Sequence, residues 1–407
     1  MNPDTMRKID RWLGSPLCLL LTLYHRLCRL LGRRPAPAGP PRRILFIELA
    51  EIGGLVVAYP CLAQARRRFP QAELYFLTFQ GGRGILELMG IIPPENQIII
   101  RPDGIFSLAR TTLAALVRLR RLGIDATINL EGYARFSTLL AFLSGARRRV
   151  GYHPFHEEGH YLGDLITHKV IYNPHLHAAH SFISLVEALA EEPDPEPRAK
   201  LPVRDIPLEV PRVETSPQAA GAIRAKLAAA YPELGPEHKL VLLNPNASDL
   251  VAARRWPTEY FLKLGQGLLQ DQRVVIVLTG TAQEREGAEA LRLALENPRV
   301  VNLAGRTTLA ELIDLYNQAS LLVTNDSGPA HFASLTSLKV LVLFGPETPA
   351  IYGPLGPGVE VVYRDLACSP CVSVYNQKRS PCTDNRCLKE IRPGEILERA
   401  RRILDGQ

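Results

Sequence analysis

The chain has 407 residues, enough for two or three domains with sizeable cores, and its apolar and charged fractions of 46% and 22% are those of an ordinary globular protein. The net charge of +7 is unevenly placed: residues 1–42 hold eight Lys/Arg against Asp4 and Asp10, a net of +6, so the body is nearly neutral and a nucleic-acid groove in it is not expected. Seven cysteines, with Cys18, Cys28 and Cys61 scattered, do not make a secreted disulfide scaffold.

Ser15-Pro16 reads as a helix cap followed by a first-turn proline, and Leu17 to Leu31 is leucine-rich. On a helical wheel Ser15, Cys18, Thr22, His25, Arg26, Arg29 and Arg33 share an arc of about 100°, with leucines and Tyr24 on the rest. The uncharged run falls short of the roughly 20 residues that span a bilayer. No small-residue cleavage site follows it, so a removed signal peptide is not expected. A leucine face flanked by arginines describes a helix lying in an anionic lipid interface. The competing reading is a helix docked on the protein itself. Residues 33–42 form a proline-rich tether, which completes an N-terminal segment at 1–42.

The first domain is expected at 43–200. Ile44-Leu45-Phe46-Ile47 is a strand, residues 50–54 a glycine-bearing turn, and a helix runs from about Leu55 to Arg68, stopped by Phe69-Pro70. Strands follow at Glu73–Thr78, Gln97–Ile100, Ala126–Asn129 and near Val150. The opening βα turn lacks G-x-G-x-x-G, so a dinucleotide site is not supported. Glu51 in that turn is a candidate general base or a solvated carboxylate, with Gly53 and Gly54 beside it. Seven of the ten histidines fall between His153 and His180, without a helical metal-binding motif. They read as surface or as polar contacts around an acceptor, His180 among them.

A proline-dense linker is placed at 201–217, with a short strand at 199–203. The second domain, 218–407, alternates strands and helices, which predicts a parallel, doubly wound sheet. Strand 239–243 ends in Asn244-Pro245-Asn246-Ala247-Ser248, and Arg254-Arg255-Trp256-Pro257 precede a helix at 258–269. Two adjacent arginines there suit a diphosphate. Strand 274–278 leads to Thr279-Gly280-Thr281 and a helix that includes Glu284; strand 300–303 leads to Thr307 and a helix at 308–319. Leu321–Val323 is a strand, broken by Asp326-Ser327-Gly328, with a helix through Ala330, His331 and Ala333. A helix start offers N–H groups suited to phosphate, and Asp326 suits hydroxyls. Strand 340–344 ends in Gly345-Pro346-Glu347. Cys368, Cys371, Cys382 and Cys387 lie within 20 residues, a spacing compatible with structural zinc. A last helix is expected at 395–404.

Several of these motifs together resemble glycosyltransferase family 9, the lipopolysaccharide heptosyltransferase family. Asp326 to His331 is similar to its D-[ST]-G-x-x-H signature, Arg254-Arg255-Trp256-Pro257 to its K-R-W-P segment, Asn302 to Leu309 to its N-L-x-G-x-[ST]-x-L segment, and Phe344-Gly345-Pro346 to its F-G-P turn. The resemblance covers about residue 43 to the end. It implies an α/β GT-B fold of two Rossmann-like domains facing a cleft, and an inverting transfer without a catalytic metal. The donor would be a nucleotide diphosphate sugar, ADP-sugar favoured, and the acceptor a lipopolysaccharide or other lipid-linked envelope glycan. The protein would sit peripherally on the cytoplasmic face of the inner membrane.

By the same resemblance, Asn246, Ser248, Arg254, Arg255, Thr281, Glu284, Thr307, Asp326, Ser327, Gly328 and His331 would face the donor, and Gly53, Gly54 and His180 the acceptor. One departure matters. The family's first turn carries an Asp as general base where this chain has Gly54, which leaves Glu51 as the candidate base. The same departure keeps open a catalytically inactive nucleotide-sugar binder and a nucleotide-sugar epimerase or hydrolase.

Overall fold

The computed structural model describes residues 5, 8–31, 39–49, 51–156, 158–193, 196–376 and 378–406; Ala50, Arg33 and most of the expected tether lie outside them, as does the side chain of Arg29. The chain divides into two units, Met1–Glu209 and Val210–Gln407.

The first unit holds one parallel sheet in the order β3-β2-β1-β4-β5-β6. Its strands are β1 (Arg43–Ile47), β2 (Glu73–Phe79), β3 (Gln97–Ile100), β4 (Ala126–Asn129), β5 (Arg148–Tyr152) and β6 (His168–Val170). The second unit repeats the order as β12-β11-β10-β7-β8-β9. These are β7 (Lys239–Asn244), β8 (Val274–Leu278), β9 (Val300–Asn302), β10 (Leu321–Asn325), β11 (Lys339–Phe344) and β12 (Val359–Tyr363). Inner strands such as Leu240 to Leu243 and Val274 to Leu278 are apolar throughout and buried, because helices cover both faces of a parallel sheet. In each unit the strand order reverses between two central strands, β1 and β4 in the first and β7 and β10 in the second. The carboxyl ends of such strand pairs are where open α/β sheets bind ligands.

The expected 55–68 helix is two helices, Ile52–Val57 and Tyr59–Arg68. Pro60 has no N–H to give and its ring crowds the carbonyl one turn back, so the ladder is interrupted at Ala58. The expected strand at 199–203 does not form: Ala199 adopts a φ of +64°, and Val203–Asp205 is a 3-10 turn. β10 runs on to Asn325, since its parallel register with β11 pairs Asn325 with Leu343 beyond the end of the apolar run. Thr308 is the cap of the Leu309–Tyr316 helix, in a reciprocal capping box with Glu311. The edge strands β6 and β12 were not anticipated; β6 is only three residues, His168–Val170, without an apolar run.

Ser15 is not a cap. It is helical, and a π-helical turn at Asp10–Gly14 leads into the Ser15–Leu30 helix. The polar arc of that helix faces the protein. Cys18 packs with Leu139 and Leu165, and the Thr22 hydroxyl accepts the Asp164 N–H at 2.9 Å. Asp10 accepts the Phe136 N–H at 3.0 Å and pairs with Arg135 at 3.1 Å. Gly163, at φ +68°, permits this approach, because a Cβ there would strike Thr22 and the Cys18 carbonyl. The leucine arc faces outward instead: Leu20, Leu23, Leu27 and Leu30 are 54–85% exposed. No helix among the described residues is long and apolar enough to cross a membrane.

Candidate active site

At the switch point of the second unit, asparagines at strand ends shape the loops. Asn244 accepts the N–H of Asn246 at 3.2 Å, and Asn302 accepts that of Ala304 at 3.0 Å, each an Asx turn that bends the chain away from its strand. Asn325 ties β10 to the loop after β7. Its amide donates to the carbonyls of Pro245 and Asn246 at 3.0 and 3.2 Å, and its oxygen accepts the Trp256 N–H at 2.9 Å. Trp256 is buried, and its indole N–H donates to the Ile391 carbonyl at 2.9 Å. Two residues before this anchor, Arg254 is held in place.

The Arg254 guanidinium stands between two buried carboxylates, 3.7 Å from Asp326 and 3.5 Å from Glu347. Lys378 reaches the other oxygen of Glu347 at 3.6 Å. Two cations and two anions therefore balance in a poorly hydrated place, which is how buried charge is tolerated. These contacts are longer than the roughly 2.7–2.9 Å of a tight charge-assisted bond. The two carboxylates orient the guanidinium. Glu347 and Lys378 were not singled out from sequence. The signal for Glu347 was its place directly after the β11 turn; Lys378, 31 residues further on, carried none.

The other donor-side candidates divide. Asn246 belongs to the same corner, its amide donating to the Thr279 carbonyl at 3.4 Å. Ser248 accepts the Val251 N–H at 3.2 Å through its carbonyl and helps turn the loop. Arg255 spends two N–H groups on the Ala247 carbonyl, at 3.0 and 2.7 Å, and so clips the loop rather than standing beside Arg254. Thr281 and Glu284 cap the turn after β8 through each other, at 2.7 and 2.9 Å. Thr307 is half-buried after β9. Ser327 caps the short Gly328–Ala333 helix in extended conformation, its hydroxyl donating to the Asn325 carbonyl at 3.2 Å. His331 is buried in that helix.

In the first unit the corresponding point is acidic. Glu51 caps the Ile52–Val57 helix, directly before Ile52, and is half-buried; Gly53 is buried and Gly54 half-buried. A Cβ on Gly54 would lie 3.4 Å from the Glu51 Cβ and 3.6 Å from a carboxylate oxygen of Glu48. Sequence reasoning missed Glu48, which reads as an ordinary strand-end residue yet is buried. The Glu48 carboxylate and the Glu51 side-chain stem thus flank the spot where the family's Asp side chain would begin. Glu131, after β4, accepts the Leu49 N–H at 2.8 Å and holds the turn. His180 is not brought to this corner by any described contact; its ring pairs with the Ile206 carbonyl at 3.2 Å.

The four C-terminal cysteines line one cavity of about 340 Å³, against Ala253 and Pro346. Burial pushes the Cys387 thiol up to about 11, with the other three cysteines adding to the rise. All four are free thiols, and among the described residues no three His, Cys, Asp or Glu are gathered tightly enough to hold a metal.

Two doubly wound parallel sheets of identical strand order, with a buried arginine-carboxylate cluster at one switch point, define an α/β protein of the GT-B class. The chain belongs to glycosyltransferase family 9 (heptosyltransferase), whose sequence model matches residues 113–380, more than half its length. It is 32% identical over 168 residues to lipooligosaccharide heptosyltransferase 2 of Campylobacter jejuni, covering 41% of this chain and about half, 51%, of that relative. It is 27% identical to lipooligosaccharide heptosyltransferase 2 of Haemophilus influenzae over 78% of this chain and 88% of that one. The solved structure of Escherichia coli ADP-heptose LPS heptosyltransferase II superposes with a TM-score of 0.68 at 21% identity, covering 89% of this chain and 98% of that one, a likeness of fold.

Proposed function

We propose that this protein is an inverting glycosyltransferase that moves a heptose from an ADP-sugar to a lipopolysaccharide or lipooligosaccharide acceptor. The observation that carries the reading is the buried Arg254 poised between Asp326 and Glu347 at the switch point of the second unit. A guanidinium there binds a diphosphate and meets the charge that grows on it as the leaving group departs. Asp326 accepts from sugar hydroxyls. In the transfer the acceptor oxygen bonds to the anomeric carbon, the carbon–oxygen bond to the diphosphate breaks, and the hydroxyl proton passes to a carboxylate of the first unit. Glu51 is the proposed base, being half-buried at a helix start, with the buried Glu48 beside it.

Calorimetry with ADP- and UDP-sugars tests the donor, with preferential ADP-sugar binding expected. Absence of binding to either at millimolar concentration would sink the reading. Gly54 in the family's Asp position favours a second reading, a protein that binds donor without turning it over. Product analysis with donor alone and with acceptor separates transferase, binder and hydrolase.

We also propose a peripheral position on the cytoplasmic face of an anionic membrane. The outward leucines of the Ser15–Leu30 helix support it, as does a second exposed stripe on the Ile105–Leu122 helix. There Phe106 and Leu113 are 82% and 65% exposed beside Arg110 and Arg121. Helices Ile105–Leu122 and Arg135–Leu143 share one core cluster under the sheet, and the Ser15–Leu30 helix packs on the second of them.

A further inference from the structure

We propose that Asp10 is a positioning residue: it caps the Arg135–Leu143 helix from the N-terminal segment and, through that helix start, holds the turn that carries Glu51. The catalytic consequence rests on the reading of that turn as the base-bearing corner given above. The first N–H groups of a helix have no partner within it, and a side-chain acceptor at the cap position satisfies one of them. The cap position here is Ala134, which has no such acceptor and makes no side-chain cap bond. Asp10, 126 residues earlier in the chain, accepts the Phe136 N–H at 3.0 Å instead. A carboxylate also complements the partial positive charge of a helix start. Its other oxygen accepts from Arg135 at 3.1 Å, and the Arg135 Nε–H donates to the Tyr161 carbonyl at 3.1 Å. The N-terminal segment, the helix start and the loop around Tyr161 are therefore pinned together. The Asp10 and Arg135 side chains are 18% and 8% exposed, so water competes weakly for the pair.

From that helix start a chain of hydrogen bonds runs to the end of β1. The Thr138 hydroxyl donates to the Ala134 carbonyl at 2.8 Å and accepts from the Asn129 amide at 3.3 Å. The Asn129 side-chain oxygen accepts the Glu131 N–H at 3.3 Å, and the Glu131 carboxylate accepts the Leu49 N–H at 2.8 Å, two residues before Glu51. Thr138 and Asn129 are buried, and a buried polar network keeps its geometry only while its members stay paired. Removing the Asp10 carboxylate frees the helix start, and these bonds pass the slack on to the turn. The N-terminal segment is then part of the acceptor-side machinery as well as a surface for lipid.

The test compares wild type, Asp10→Ala, Asp10→Asn and Thr138→Val as full chains, by hydrogen exchange and by turnover. Asp10→Ala should speed exchange at Phe136 and at Leu49 by roughly fivefold, the order of a lost helix cap, and leave residues 239–256 of the second unit unchanged. Asp10→Asn should restore most of the protection, because its amide oxygen still accepts the Phe136 N–H. Thr138→Val keeps the shape and breaks the chain further in, so Leu49 should loosen while Phe136 stays protected; this remains readable where Asp10→Ala folds poorly. Turnover is measured with ADP-heptose and a lipooligosaccharide core freed of its acyl chains, which takes membrane attachment out of the result. Asp10→Ala and Thr138→Val should lower kcat severalfold with ADP affinity unchanged. Faster exchange at Phe136 with none at Leu49 overturns the proposal. A normal kcat in variants whose Leu49 has loosened overturns the catalytic role. Wild type that never transfers heptose defeats the acceptor-corner reading instead, while the exchange pattern still decides whether Asp10 holds the turn.

Discussion

The two units share one strand order and put opposite chemistry at the same point of it. After its central strands the second unit presents Arg254 among buried Asp326 and Glu347 and the half-buried Lys378. After β1 the first presents Glu48 and Glu51 around a bare Gly54. One corner gathers cations and anions together, the other carboxylates. The difference teaches that topology chooses where a site lies, and a few strand-end side chains choose what it does.

Replacing the carboxylates of the first corner should have the largest effect. Glu51→Gln keeps the size and loses the base, so turnover should fall by about 10²–10⁴-fold with donor affinity nearly unchanged. If turnover stays normal in Glu51→Gln and falls in Glu48→Gln, the base is the buried carboxylate. If neither variant slows, the acidic corner is not catalytic.

At the other corner, Arg254→Met should weaken ADP binding and cost about 3–5 kcal/mol of stability, because Asp326 and Glu347 lose the cation that neutralises them. Adding Asp326→Asn should recover part of the stability and none of the affinity. Equal melting temperatures for wild type and Arg254→Met would show that the cluster is not electrostatically coupled.

The units should also part on acidification. Burial holds the imidazoles of His153 and His168 down to about 4 in the first unit, and lowers that of His160. A histidine with a depressed folded pKa is neutral when folded and takes up a proton on unfolding, so its stability contribution is lost as pH falls from about 6.5 toward 4. For fully buried His168 the loss is roughly 2 kcal/mol by pH 5. In the second unit Asp271 is held at about 2 by its bonds with Arg273, and Glu289 and Glu311 are lowered by Arg292 and Lys226. Their contributions persist above the ordinary carboxylate range and fade only below it. Hydrogen exchange at pH 7 and pH 5 should show the first unit opening first; opening confined to the second would contradict this account.

The smallest effect concerns the outward stripes of the first unit. Arg110→Glu should weaken binding to anionic vesicles by about 1 kcal/mol for the lost basic contact. Full-length protein that ignores such vesicles would make the exposed leucines a surface for something other than lipid.

Much of this was legible in one dimension. Alternating apolar runs and helical stretches announced two parallel sheets, because a strand covered on both faces must be apolar throughout. Strand ends such as Asn244 and Asp326 stood out because polar residues directly after such runs mark sheet edges. The sequence also settled the amphipathic wheel of the N-terminal helix, which depends only on periodicity. Which arc turns inward was decided in three dimensions: Thr22 and Asp10 found backbone N–H partners at Asp164 and Phe136, and the leucines were left outside. Arg254 and Arg255, adjacent in the chain, took different jobs because only one guanidinium reaches the carboxylates of β10 and β11. Glu48 and Glu347 gained their meaning the same way. A carboxylate's role is set by which charges and backbones surround it once buried, and those neighbours are tens of residues away until the sheet brings them together.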